Sequence, residues 1–429
     1  MLSLSRFQGV TLLVTALLFV ATPILGQAPQ APYAALDRNA VNYAGPGREA
    51  AHDLGGPEIK IGLLVPLSGP RRAEGEALIR AAELAIEDEA TIPLPDGRRL
   101  ALAARDENGP WGQAASELVR LVEDDRAIAL ITSSDGAAAH LAEQVSTKLG
   151  VPVVTLSTDT TTTQINLPWI FRLGPSDLVQ ARVFARDIYL QRRLKRVVLV
   201  TELNHDGRVG SEDFEKAARE LSSESVPATV PVRVAVDGTL LDAPAVVQEI
   251  VAQNPEALVF WTGPRTASEL LAQIHLPSVP IYLCWKAAQG RTEDTPRGTC
   301  RSCPEENNGI VAVTPDVGTS DGQLTDRPGV SAERTVGIWT VSTASPQSAV
   351  RANFERRYRE RTGSAPSVVA AQAYDAVRLI AAALRHAGPN RARLRDALTN
   401  TRNFAGASGP ITFDHAGNDL SGVRLVSTP

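Results

Sequence analysis

Apolar and polar positions along this chain follow two rhythms. Short runs rich in aliphatic and β-branched residues cover 59–67, 100–105, 128–132, 151–156, 196–201, 230–236, 257–261, 281–284 and 309–314, each about the length of one strand. Between them apolar residues recur at helical spacing over 74–88, 111–124, 137–149, 178–190, 210–221, 243–253 and 266–276. In the first of these, Leu78, Ala82, Ala85 and Ile86 fall on one face. Continuous apolar strands separated by amphipathic helices predict parallel sheets covered on both sides, an α/β, doubly wound architecture. Ligands of such sheets bind in crevices beyond the carboxyl ends of strands, so the strand-exit loops are where chemistry is expected.

The loop after the first strand, Ser68-Gly69-Pro70, matches neither GxGxxG nor GxxxxGK[ST]. Pro70 removes a backbone donor that a pyrophosphate would need, which leaves a small polar ligand or simple turn chemistry. The loop Thr132-Ser133-Ser134-Asp135-Gly136 opens a helix. Its hydroxyls and free N–H groups suit a carboxylate, or serve as ordinary N-caps through Ser134 or Asp135. The next strand ends in Ser157-Thr158-Asp159-Thr160-Thr161-Thr162-Thr163, a run of small hydroxyl residues able both to donate and to accept hydrogen bonds. Neither GxSxG nor HExxH occurs, and His52, His140, His205, His275, His386 and His415 are scattered. The carboxylate pair in Asp106-Glu107-Asn108 closes a strand into Gly109-Pro110, which favours a solvated turn over acid–base chemistry. No catalytic constellation and no cofactor motif is present.

The 429 residues suit two lobes of ordinary size. The net charge of −5 offers no basic footprint for nucleic acid. At the N-terminus Arg6 precedes an apolar run over 10–25, broken by Pro23 and followed by Gly26-Gln27-Ala28. This predicts a secretory signal peptide over 1–28, because the run falls short of the roughly 18–20 uninterrupted apolar residues of a membrane span. No cysteine stands near the cleavage site for lipidation, so a soluble exported protein is expected. The Pro-, Gly- and Ala-rich stretch 29–56 reads as an extension of the first lobe or a partly ordered arm. Export permits disulfides. The odd count of Cys284, Cys300 and Cys303 leaves at least one thiol unpaired within the chain. Cys300-Arg301-Ser302-Cys303 follows a loop rather than a strand. It predicts a local clip, Cys300 with Cys303 or one of them with Cys284, rather than a redox pair. A zinc site would need a fourth ligand, and covalent haem would need His where Pro304 stands.

Four segments together carry a resemblance. They are VPLSGPRRAEG at 65–75, Phe171-Arg172-Leu173-Gly174-Pro175-Ser176-Asp177, Ala371-Gln372-Ala373-Tyr374-Asp375-Ala376, and Gly409-Pro410-Ile411-Thr412-Phe413-Asp414 completed by Gly417. In this order they resemble the type I periplasmic binding proteins, the branched-chain amino-acid (Leu/Ile/Val) receptors of ABC transporters, over 58–419. The resemblance implies two doubly wound lobes joined by three hinge crossings near Gly174, Thr314 and Gly409, with lobe 1 made of 57–174 and 314–408 and lobe 2 of 175–313 and 409–429. A small ligand would be closed between them and handed to a membrane permease. It also implies that Ser133, Ser134, Ser157 and Thr158 fix a ligand carboxylate, and that Glu74 stands on the cleft rim. With the chain stopping at Pro429, the terminal strand common in the family is expected to be missing.

The second lobe departs from the family pattern. Asp206 stands where an aromatic residue commonly covers the ligand, Arg265 follows the strand 257–261, and Lys286 takes a place where amino-acid receptors often carry an acid. A buried lysine repels an ammonium group, so either the ligand is no ordinary α-amino acid or Lys286 points away. Three function classes follow: a solute receptor for a carboxylate, amide or amino-acid-like molecule; a periplasmic sensor or scaffold that keeps the fold without transport; and, least favoured, a redox enzyme acting through Cys300 and Cys303.

Overall fold

The computed structural model describes residues 56–94, 96–109, 112–164, 169–223, 229–289, 337–343 and 348–428, together with 43, 45, 47, 48 and 54. The expected leader, the strand and crossing near 309–314, and the pair Cys300 and Cys303 lie outside these described residues.

The first half of the chain builds one sheet. Strands β1 (Glu58–Val65), β2 (Arg99–Asp106), β3 (Ala129–Thr132), β4 (Val153–Thr155) and β5 (Ile170–Arg172) alternate with helices α1 (Arg72–Glu89), α2 (Gln113–Glu123) and α3 (Gly136–Leu149). All pairings are parallel, in the order β2-β1-β3-β4-β5. The apolar runs are continuous because both faces are covered. Ile61 and Leu63 of β1 join a core with Leu78 and Ala82 of α1, while Leu64 joins Leu118 and Leu121 of α2 on the other side.

After β5 the chain enters a second unit with its own core. Helices α4 (Asp177–Ala185, continued by a wide turn to Gln191), α5 (His205–Ser223), α6 (Ala243–Ala252) and α7 (Pro264–Leu271) surround strands β6 (Val197–Glu202), β7 (Val232–Val236), β8 (Ala257–Trp261) and β9 (Ile281–Leu283). Strand β10 (Ile338–Ser342) runs parallel to β9. The chain then returns to the first core through α8 (Ala349–Thr362), α9 (Val368–Ala387) and α10 (Arg391–Thr399), and a hairpin of β11 (Phe404–Ala405) and β12 (Pro410–Ile411) follows. A last strand, β13 (Arg424–Thr428), closes the second sheet antiparallel to β10, giving the order β13-β10-β9-β8-β6-β7. Apart from that added edge, the second sheet repeats the winding of the first.

Two expectations are corrected here. Residues 338–342, expected in the first lobe as part of 314–408, belong to the second sheet, where Ile338 and Trp339 register against Ile281 and Tyr282, and the described chain returns to the first core after them. The terminal strand is also present, because the extended run Arg424–Thr428 finds a five-residue partner in β10.

Two motif residues fix the crossings. Arg172 is buried; its guanidinium donates to the carbonyls of Asp159 and Thr160, the Thr163 hydroxyl (2.7 Å) and Asn418. Asp375 on α9 accepts from the Ala407 and Ser408 backbone and from the Ser408 hydroxyl, all at 2.7 Å. Part of the 29–56 stretch rests on the first lobe. Tyr43 stacks edge-on against Trp169 at 4.9 Å and its backbone N–H donates to Asp396 of α10 at 2.7 Å, while Arg48 pairs with the same carboxylate.

Candidate ligand-binding cleft

A doubly wound sheet splits its strand order beside the first strand, and a crevice opens at the carboxyl end there. Here the crevices lie between β1 and β3 in one sheet and between β6 and β8 in the other. The loops leaving these strands meet each other.

On the first-lobe wall, Arg71 is the centre. It pairs with Glu74 through two bonds of 2.9 Å, with Glu107 at 2.9 Å and with Asp135 at 3.1 Å. The loop after β1 can deliver Arg71 and Glu74 because α1 starts tightly against the strand end. A Cβ on Gly75 would lie 1.9 Å from the Pro66 carbonyl oxygen, so only glycine fits this approach. The two serines after β3 turn inward on the same carboxylates. Ser133 donates to Glu107 at 2.5 Å and Ser134 to Glu74 at 2.7 Å. Asp135 caps α3, accepting from Ala138 N–H at 2.9 Å. Burial alone would push Glu74 up, but Arg71 and Ser134 hold it below the usual carboxylate range. Glu107 goes the other way: burial raises it to about 7 against the pull of Arg71. Three carboxylates around one guanidinium carry excess negative charge, and Glu107 has the least exposed side chain of the three.

On the second-lobe wall, Asp206 lies in the first turn of α5 and Lys286 follows β9. They form an ion pair. Burial opposes the charge on Lys286, and Asp206 with Asp135 more than offsets that, so the amine sits above its ordinary range.

The walls touch directly. Asp206 accepts from the Gly136 N–H at 3.0 Å, which places a second-lobe carboxylate on the N-terminus of α3. His205 Nε2 lies 2.6 Å from Asp159 Oδ2, and His140 Nε2 lies 3.1 Å from the same oxygen. A residual cavity of about 10 Å³, roughly one water, is lined among others by Thr158, Asp177, Asp206, Trp261 and Lys286. The buried indole N–H of Trp261 has no hydrogen-bond partner, and burial pushes Asp177 well above the usual carboxylate range.

Most of the sequence-derived residues come together here. Glu74, Ser133, Ser134, Thr158, Asp206 and Lys286 all border the cleft. Ser157 is buried, and its hydroxyl accepts from Asp159 N–H at 3.2 Å. The hydroxyl run beyond it is largely structural. Asp159 caps a short 3-10 turn, Thr160–Thr163, whose Thr162 and Thr163 hydroxyls donate to Asp159 O and Asn418. Two expectations change. Arg265 is 60% exposed, donates to Gly238 O at 2.8 Å and lies beside Glu269, and these contacts include none of the cleft groups named above. Glu107, expected in a solvated turn, is a buried member of the site, while Asp106 keeps the turn role by accepting from Leu67 and Asn108 N–H. Cys284 is a free, fully buried thiol. Its sulfur accepts from Ala287 N–H and donates to Thr262 O, and burial beside Asp177 raises it to about 12. Sequence reasoning missed Arg71, Asp159, Asp177, His140 and His205. Position at a strand exit could have found Arg71 and Asp159; the histidines carry no motif.

The fold occurs in known proteins. A family model described as "Periplasmic binding protein" matches residues 58–275 and 308–424. No curated protein matches the chain. A branched-chain amino acid transporter substrate binding protein, LivJ, from Streptococcus pneumoniae, in complex with isoleucine, shares 21% identity over 86% of this chain and 96% of its own, with a TM-score of 0.66. The leucine binding protein LivK from Thermotoga maritima gives 20%, 86%, 95% and 0.65. An ABC transporter solute binding protein from R. palustris, in complex with benzoate, gives 19%, 87%, 93% and 0.67. Two sheets of one winding, facing each other across charged strand-exit loops, are thus the architecture that the family match predicts, and this chain belongs to the periplasmic binding protein family.

Proposed function

We propose that this protein is an extracytoplasmic solute-binding protein that closes on a small organic carboxylate and delivers it to the permease of an ABC transporter. One observation carries the choice of ligand. A carboxylate, that of Asp206, lies between the Gly136 N–H and the Lys286 amine. A ligand carboxylate displacing Asp206 would gain the positive end of a 14-residue helix and a buried cation. It would also link both lobes, which is what drives closure. An α-ammonium beside Lys286 would be repelled. The carboxylates that could balance it, Glu74 and Asp135, are already held by Arg71. A carboxylic acid without an α-amine, such as benzoate, therefore binds better than leucine or valine. Calorimetric titration of benzoate and leucine tests this. Micromolar leucine binding without benzoate binding would restore the amino-acid role.

A second reading rests on a separate observation. Every charged group named in the cleft already has a partner in this chain, and the pocket beside Asp206 and Lys286 has room for about one water. This favours a sensor or scaffold whose lobes close without a solute. A thermal-shift screen over organic acids, amides and amino acids separates the two. A receptor gains melting temperature with rising ligand concentration, roughly logarithmically above Kd, whereas a scaffold does not respond.

A further inference from the structure

Beside the anion position, three potential metal ligands from both lobes converge. His140 is on α3 and Asp159 follows β4, both in the first lobe, whereas His205 opens α5 in the second. One ring nitrogen of His140, one of His205 and a carboxylate oxygen of Asp159 all lie within 4.8 Å of one another. We propose that these three side chains form a binding site for a borderline first-row divalent cation of the Zn²⁺ type, which clamps the two lobes together.

The chemistry of the set fits such an ion. Two imidazoles and one carboxylate match the nitrogen and oxygen preference of Zn²⁺ and leave a fourth position for water or a small ligand. Tetrahedral bonds of about 2.0–2.1 Å place neighbouring ligand atoms about 3.3 Å apart. The observed separations from Asp159 Oδ2 are 3.1 Å to His140 and 2.6 Å to His205, so the side chains need to part by less than 1 Å. The surroundings already orient two of the three. His140 Nδ1 lies 2.9 Å from Glu143 Oε2; donating its proton there turns Nε2 into a ligand, the usual carboxylate–imidazole–metal relay, once Nε2 gives up its 2.8 Å contact with the Thr161 hydroxyl. Asp159 Oδ1 accepts from the Thr161 N–H and hydroxyl, both at 2.7 Å, which reserves Oδ2 for the ion. The third requires one adjustment. Arg208 Nη2 lies 3.2 Å from His205 Nδ1. Metal on Nε2 puts a proton on Nδ1, so this exposed arginine must swing into solvent.

The site stands apart from the solute reading, because none of its three ligands is a residue assigned to the carboxylate. Its consequence is conformational: two of the ligands belong to one lobe and one to the other, so the ion binds the closed form and not the open one.

The test uses the full mature chain and Zn²⁺ alone, with Co²⁺ as a spectroscopic stand-in. Equilibrium dialysis should show one saturable Zn²⁺ per chain, Co²⁺ should give the visible absorption of a low-coordinate site, and small-angle scattering should report compaction with Zn²⁺. His140→Gln and His205→Gln, both at partly exposed positions, should each weaken binding at least tenfold and abolish the compaction. The buried cap Asp159 is left intact so that misfolding does not mimic ligand loss. Absence of saturable binding, or retention of native affinity within tenfold in either variant, overturns the proposal.

Discussion

Asp206 of the second lobe accepts a hydrogen bond from the Gly136 N–H of the first, at the end of the loop whose Ser133 and Ser134 the resemblance assigns to a ligand carboxylate. The protein thus carries its own anion on the α3 N-terminus, and that anion is also the partner of Lys286. A solute must compete with an internal group that is already in position.

This competition makes Asp206→Ala and Lys286→Ala opposite in effect. Removing the internal carboxylate frees the N–H and the amine, so an organic acid should bind roughly tenfold more tightly, the equivalent of one charge-assisted hydrogen bond of about 1.5 kcal/mol. Removing the amine should weaken the same acid by a similar factor. Without ligand, Asp206→Ala should melt lower, since it leaves Lys286 unpaired. Calorimetry and a thermal melt of each variant check both halves; equal affinities would mean that the ligand lies elsewhere.

Gly136→Ala should hold the lobes apart without damaging either core. The added Cβ would lie 2.4 Å from Asp206 Oδ1 and 2.9 Å from His205 Cδ2, both across the cleft. Small-angle scattering should show a larger radius of gyration than the native protein, with near-native circular dichroism.

Glu107 gives the cleft a pH response. Its folded value, about 7, lies above its ordinary 4.5. For an acid raised on folding, ionisation costs stability: the contribution is most favourable below pH 4.5, declines as pH rises to about 7, and is then constant. The span is of order 3 kcal/mol. Glu107→Gln should remove that part of the slope in unfolding free energy between about pH 4.5 and 7, measured by urea titration.

Asp375→Ala should cost about 2–4 kcal/mol, because it leaves the buried Ala407 and Ser408 N–H groups without acceptors. Arg265→Ala is the contrasting case. On an exposed side chain outside the cleft, it should change stability by less than about 0.5 kcal/mol and leave ligand affinity unaltered. A large loss of affinity in Arg265→Ala would reopen the boundary of the site.

What the sequence by itself determined is what short-range pattern encodes. Uninterrupted runs such as Ile61–Val65 can be strands only if both faces are covered, so parallel sheets and strand-exit loops followed from hydrophobicity alone. Ser133 and Ser134 were found because they sit just beyond such a run, whereas Glu74, Asp206 and Lys286 were placed by the family resemblance. Tertiary structure decided the rest, for reasons that no local window contains. Strand β10 is too short to declare its sheet; its parallel partner β9 lies 57 positions earlier, as Thr340 and Leu283 show. Arg265 also follows a strand, yet the turn into α7 aims it at Gly238 and solvent. Glu107 looked like half of a solvated turn until Arg71 and Ser133 closed over it. The meeting of His140, Asp159 and His205 depends on how two separately folded cores approach each other, and that is set by the crossings at Arg172, Asn418 and Ser342 rather than by the residues that meet.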